Sequence, residues 1–337
     1  MHSQIIEGLQ QAFYEGVRFQ RIAFDKIDDS GNRFCLFLKP GVMVSYPSEG
    51  FHKALDFMFS CLKRSQLKVE EIVILSSDYL LEHCIIQQHY NHLYAGALMG
   101  LRDQGAEVEA SFQKAYGCKT AEACILGGYE FLERYSGHTL RSLDVLWENL
   151  QHKKLSRGLF VGRMVFDDEV IFLVNGFTPW QMYSYVRGGM VLLVFCLTGQ
   201  VSWRKAREDF LGSNDPRKAD PMSLRGGFFS KWHEWGLEPI RIAANGVHMS
   251  AGPVEALIEQ LRFLSNYDAG HQADIADLGM GRRLLVSPLS RVGTQNFLER
   301  VRSDIQVARE VFNMTDMMDE EAALPAIVKY AKSTLSC

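Results

Sequence analysis

The residues best suited to chemistry in this chain lie in Ala244-Asn245-Gly246-Val247-His248-Met249-Ser250 and in the run Pro253-Val254-Glu255-Ala256-Leu257-Ile258-Glu259 that follows. His248 closes a short apolar segment, and Glu259 falls in the helix predicted next. An imidazole with one nitrogen anchored by a carboxylate presents the other as a nucleophile. A histidine at a strand end is also a common packed or surface residue. The segments upstream decide between the two.

Those segments come in a definite order. Phe37-Leu38-Lys39-Pro40-Gly41-Val42 ends an apolar run. Leu211-Gly212-Ser213-Asn214-Asp215-Pro216 follows far downstream, then Asp220-Pro221-Met222-Ser223-Leu224-Arg225-Gly226-Gly227-Phe228, then Asn245, His248, Ser250 and Glu259. The series resembles the nucleoside diphosphate kinase family, whose motifs read K-P-D-G-V, L-G-x-T-N-P, P-G-T-I-R-G-D-F and N-x-x-H-G-S-D, with a glutamate in the next helix. The resemblance covers residues 33–93 and 183–265.

The resemblance implies an activity and a set of roles. His248 would take the γ-phosphate of a nucleoside triphosphate and pass it to a nucleoside diphosphate or a related small-molecule acceptor. Lys39 and Arg225 would bind phosphates, the arginine through paired hydrogen bonds. Asn245 would hold the ribose hydroxyl. Glu259, helped by Ser250, would orient the His248 ring, and Tyr90 would be the active-site tyrosine. Mg²⁺ carried by ATP or another triphosphate would bridge the phosphates. A homo-oligomer is implied too, because the family forms tetramers or hexamers. Two readings from other classes stand beside this one: a nucleotide-binding protein without turnover, and different chemistry on the nucleotide in the same pocket.

Several positions depart from the family pattern. Its second phosphate arginine falls on Glu208, so Arg207 or Arg204 would have to substitute. Its threonine is Asn214, which still donates a hydrogen bond. The glycine after the histidine is Met249, and the aspartate after Lys-Pro is missing. The family's base-stacking lid is interrupted by 94–175, leaving Phe177, Trp180 or Met182 as stacking surfaces.

Composition sets the outer limits. The chain has 337 residues, with 36 basic against 40 acidic, and no basic stripe to suggest a nucleic-acid partner. Seven cysteines, Cys337 among them, are scattered without a Cys-x-x-Cys pair, so neither a zinc site nor a disulfide framework is expected. His89 and His92 flank Tyr90, but no third metal ligand suggests itself. The opening residues carry no leader pattern and the apolar run 190–197 is too short to span a bilayer. A cytoplasmic protein without a membrane partner is expected.

The elements that must position these residues follow from periodicity. Helices are predicted over 4–20, 51–63, about 77–90, 201–210 and 253–264, and strands over 33–38, 68–75, 190–197 and 240–247. The order predicts an α+β, ferredoxin-like βαββαβ core with a four-stranded antiparallel sheet and helices on one face. Four regions result: an N-terminal helical segment, 1–32; the discontinuous core, 33–93 and 176–265; an inserted α/β subdomain, 94–175; and a helical C-terminal extension, 266–337. The insertion carries helical patterns at 107–117 and 121–135, then a hairpin of 159–166 and 170–174 turning at Asp167-Asp168. The extension carries helical patterns at 294–313 and 320–334.

Overall fold

A computed structural model describes residues 1–24 and 31–335. Cys337 and residues 25–30 of the N-terminal segment lie outside the described residues. The chain is a mixed α+β protein. Its strands are β1 (Phe19–Ala23), β2 (Asn32–Leu38), β3 (Lys68–Ser76), β4 (Cys124–Gly127), β5 (His152–Ser156), β6 (Leu159–Phe166), β7 (Glu169–Val174), β8 (Val191–Gly199) and β9 (Val247–Met249). They form two sheets in two compact units, one of Met1–Ile85 with Arg187–Cys337 and the other of Ile86–Val186.

The first unit holds a five-stranded sheet in the order β1-β3-β8-β2-β9, with each neighbouring pair antiparallel. The sequence predicted four strands, and β1 is the addition. The first helix stops at Tyr14, and Gly16 at φ +73° turns the chain out of helical geometry. Phe19–Ala23 then pairs with β3 at the sheet edge.

Two crossover helices share one core. Glu49–Arg64 is capped by Ser48, whose side chain accepts from the Phe51 amide. Trp203–Lys205 is capped by Ser202 and runs into a wider π-helical turn, Ala206–Leu211. Phe51, Leu55 and Met58 from the first helix meet Trp203, Ala206 and Phe210 from the second, against Leu36 and Leu38 of β2 and Leu193 and Phe195 of β8. Each fully buried Leu, Phe or Met side chain among these contributes about 1.5–3 kcal/mol.

Helices were expected on one face of the sheet only. The opposite face is covered as well, by Pro253–Phe263, and every residue of β2 is buried. The C-terminal helices Gly279–Leu285, Arg291–Ser303, Ile305–Met314 and Glu320–Leu335 belong to this unit. The continuous helix predicted for 294–313 breaks at Asp304, whose carboxylate caps the second piece through the Gln306 and Val307 amides. The last helix is anchored at its start. Asp319 accepts from Asn32 Nδ2 (2.9 Å) and from the Trp203 amide (2.7 Å), and Glu320 accepts from the Arg33 amide (2.9 Å).

The second unit holds a four-stranded sheet, β4-β7-β6-β5, in which β4 and β7 are parallel. The β6–β7 hairpin turns at Asp167 and Asp168, both in the left-handed region (φ +49° and +60°), as a two-residue primed turn requires. The helix predicted for 121–135 is a strand followed by a shorter helix, Gly128–Arg134. Gly127 marks the change: a Cβ there would lie 2.3 Å from the Ala97 carbonyl oxygen. The helix predicted for 77–90 is likewise broken, where Cys84 adopts φ +51°.

Candidate functional site

β2 and β9 run side by side and deliver the two ends of the site. Lys39 follows the last residue of β2, and its amide bonds to the Gly246 carbonyl at 2.9 Å. The strand predicted for 240–247 is only the three residues Val247–Met249. Before it, Arg241 and Ala244 close a tight turn, and Gly246 takes φ +80°. Strand alternation then sends Val247 and Met249 into the core and His248 to the other face. Met249 takes extended backbone opposite Leu36, so no glycine is needed after this histidine.

His248 stacks on Phe37, its register partner on β2, with ring centroids 4.5 Å apart. Its Nε2 lies 2.8 Å from Glu259 Oε1 on helix Pro253–Phe263. The carboxylate side chain is 3% exposed and the imidazole 16%, so the pair is shielded but the ring is reachable. A carboxylate accepting from Nε2–H fixes the tautomer in which Nδ1 carries the lone pair. Burial pushes the imidazole pKa well below its usual value. Glu255 opposes this, while Lys39, Arg207 and Arg225 add to it. His248 is therefore neutral at pH 7.

Three basic side chains, two of them arginines, lie near that neutral ring. Lys39 has no ion-pair partner among the described residues, and burial with the nearby Arg225 brings its pKa down to about 7. Arg225 sits at the second position of helix Leu224–Lys231 and donates to Asn214 Oδ1 (2.6 Å) and the Gly212 carbonyl (3.1 Å). Arg207 reaches the strand end, donating to the Met249 carbonyl at 2.8 Å.

The π-helical turn explains how Arg207 gets there. In an α-helix the Gly212 amide would bond to Glu208, four residues back. Here it bonds to Arg207, five back, at 3.2 Å. The extra residue gives Arg207 the place relative to Gly212 that Glu208 would hold. Glu208 instead pairs at the surface with Arg204, at 3.4 Å. Single π turns inside helices recur at functional sites.

The remaining expected residues fall as follows. Asn245 is buried; its Nδ2 lies 3.4 Å from the Asn214 carbonyl, and its Oδ1 has no hydrogen-bond partner among the described residues. The Ser250 hydroxyl accepts from the Cys35 amide (3.0 Å) and donates to the Cys35 carbonyl (3.3 Å). It thus ties β9 to β2 and reaches His248 only through the strand. Tyr90 belongs to the second unit, where its hydroxyl lies 3.2 Å from that of Tyr185. Sequence reasoning missed Phe37 as the stacking partner, although it stands two residues before Lys39 on a strand. It also missed Glu255, which accepts from the Ala251 amide at 2.8 Å.

Arg207, Arg225 and Asn214 line a cavity of about 280 Å³. Glu208, Asp220 and Lys218 also face it, and Met317 reaches it from the C-terminal segment. An open cavity in which Arg207, Lys218 and Arg225 outnumber the two carboxylates suits a polyanion that brings a divalent cation with it.

No family model and no curated protein matches the chain. Among solved structures it is similar to a crystal structure of an NDP kinase from Pyrobaculum aerophilum, at 17% identity and a TM-score of 0.32, covering 71% of this chain and 97% of that one. A likeness of that size defines neither fold nor activity.

Proposed function

We propose that the chain is a nucleotide-dependent phosphotransferase that carries a phosphoryl group on His248. The observation that carries this reading is the His248–Glu259 pair at 2.8 Å, facing Lys39, Arg207 and Arg225. In this reading Nδ1 attacks the γ-phosphorus of a triphosphate. An N–P bond forms and the bond to the β-phosphate's bridging oxygen breaks, releasing the diphosphate. The Nε2 proton stays where it is, and the charge that grows on the ring is met by Glu259. The three cations neutralise the transferring group, which is most of what phosphoryl transfer asks of a protein. An oxygen of a nucleoside diphosphate, or of another small acceptor, then takes the group by the reverse path. Asn245 offers an amide oxygen to a ribose hydroxyl.

The strand order supports a ferredoxin-like core. Leaving out β1, the sheet reads β3-β8-β2-β9, and the two crossover helices pack into one core, as in a split β-α-β fold. The donor set also suits Mg²⁺. Glu208 and Asp220 offer hard carboxylate oxygens at the cavity, and Mg²⁺ is commonly held by one or two carboxylates with substrate phosphates. When bound there it would neutralise phosphate charge.

The test is incubation with γ-labelled ATP and Mg²⁺. Label that survives base, is lost in acid and is absent from His248→Ala is the expected result. Triphosphate binding without label would reduce the reading to a nucleotide-binding protein.

A further inference from the structure

We propose that the cavity takes a condensed phosphate chain by itself, so that inorganic tripolyphosphate is a ligand in its own right. This rests on the phosphate-binding half of the function proposed above, and it names a ligand class without a nucleoside.

The lining carries the argument. Arg207, Lys218 and Arg225 supply positive charge, and among the described residues no aromatic side chain borders the space. At about 280 Å³ the cavity falls just below the roughly 300–1,000 Å³ of sites that enclose a drug-sized ligand. Such sites are mostly apolar, whereas here Met317 is the one large apolar side chain. Glu208 and Asp220 do not contradict an anion, because a phosphate chain arrives with a divalent counter-ion.

The C-terminal segment fixes this shape. The Met317 amide bonds to the Ala251 carbonyl at 2.9 Å, and Met317 is held at φ +55°. The segment approaches so closely that a Cβ on Gly252 would lie 2.3 Å from the Thr315 carbonyl oxygen. Met317 is therefore a fixed wall.

The residues expected to stack a base are engaged inside their own unit. Phe177 is 8% exposed and lies 5.6 Å from Trp147, ring to ring. Met182 is buried, and the Arg141 guanidinium covers one face of Trp180 at 5.0 Å.

The test is isothermal titration of the full chain with Mg²⁺–tripolyphosphate and with Mg²⁺–ATP. Dissociation constants within about threefold of each other are expected. Lys218→Ala, an exposed change that leaves the fold intact, should weaken both ligands about fivefold and equally. ATP binding tighter by tenfold or more, about 1.4 kcal/mol, would overturn the proposal. So would failure of tripolyphosphate to bind, or a Lys218→Ala variant that moves neither ligand. The outcomes separate from those of the function test: a labelled histidine with ATP strongly preferred sinks only this inference, and equal binding without label sinks only the phosphohistidine.

Discussion

Attack on phosphorus, as proposed, needs an imidazole nitrogen that keeps its lone pair, and around His248 a carboxylate bond and burial act on that choice. Glu259 binds Nε2 and so selects the nitrogen. Glu259→Gln keeps the shape but removes the charge that steadies the developing imidazolium. Labelling should slow by roughly 10–100-fold, the usual cost of losing such a support, with triphosphate affinity nearly unchanged. Initial labelling rates and calorimetric affinities check both parts.

The pKa values of His248 and Lys39, both lowered chiefly by burial, give the pH predictions. Because the folded-state pKa of His248 lies well below 6.5, the labelling rate should not fall as pH is lowered through that value. The unfolded chain binds this proton first, so the His248 contribution to stability declines below about pH 6.5 until both states are protonated. Lys39 titrates at about 7 when folded and at about 10.5 when unfolded. Across that window the unfolded chain holds more protons, so stability rises with pH, and Lys39→Met should flatten the slope in urea unfolding. In the proposed function Lys39 binds phosphate, and a bound triphosphate would restore its ammonium form. Binding at about pH 8 should therefore take up protons, which calorimetry in buffers of different ionisation enthalpy reads directly.

At the scale of elements, β9 and the π-helical turn decide what a motif comparison leaves open. Met249 stands where the family pattern has glycine, yet it is 1% exposed and packed in the sheet core. Met249→Gly should cost about 3 kcal/mol or more in urea unfolding and bring no gain in labelling. Arg207→Ala should lower triphosphate affinity about tenfold, whereas Arg204→Ala, at a surface ion pair, should leave it unchanged. Equal effects of the two would remove the π-helical turn from the account.

The whole first unit is closed by contacts across nearly its full length. Asp319 joins the start of β2 to the start of the helix that carries Arg207. Asp319→Ala leaves the Trp203 backbone amide without its acceptor, and the Asn32 amide group keeps only the Val201 carbonyl. It should destabilise the fold by about 2 kcal/mol and weaken polyphosphate binding, since the helix start is no longer held. Denaturant unfolding and titration of the same variant check the coupling.

Much of this was legible in the chain because its signals are local. Periodicity marked β2, β3 and β8, the helix Pro253–Phe263 and the hairpin of the second unit, since alternation and helical spacing need only neighbouring residues. The order of motifs brought out Lys39, Arg225, Asn245, His248 and Glu259 together. Tertiary structure decided the rest. A π-helical turn, not spacing alone, put Arg207 in place of Glu208, because one extra residue in a turn leaves the hydrophobic pattern nearly unchanged. The Ser250 hydroxyl went to the Cys35 backbone, a pairing set by strand register. Met317 and Asp319 reached the cavity and β2 from far along the chain, and no local pattern encodes a contact that exists only once the chain has closed on itself.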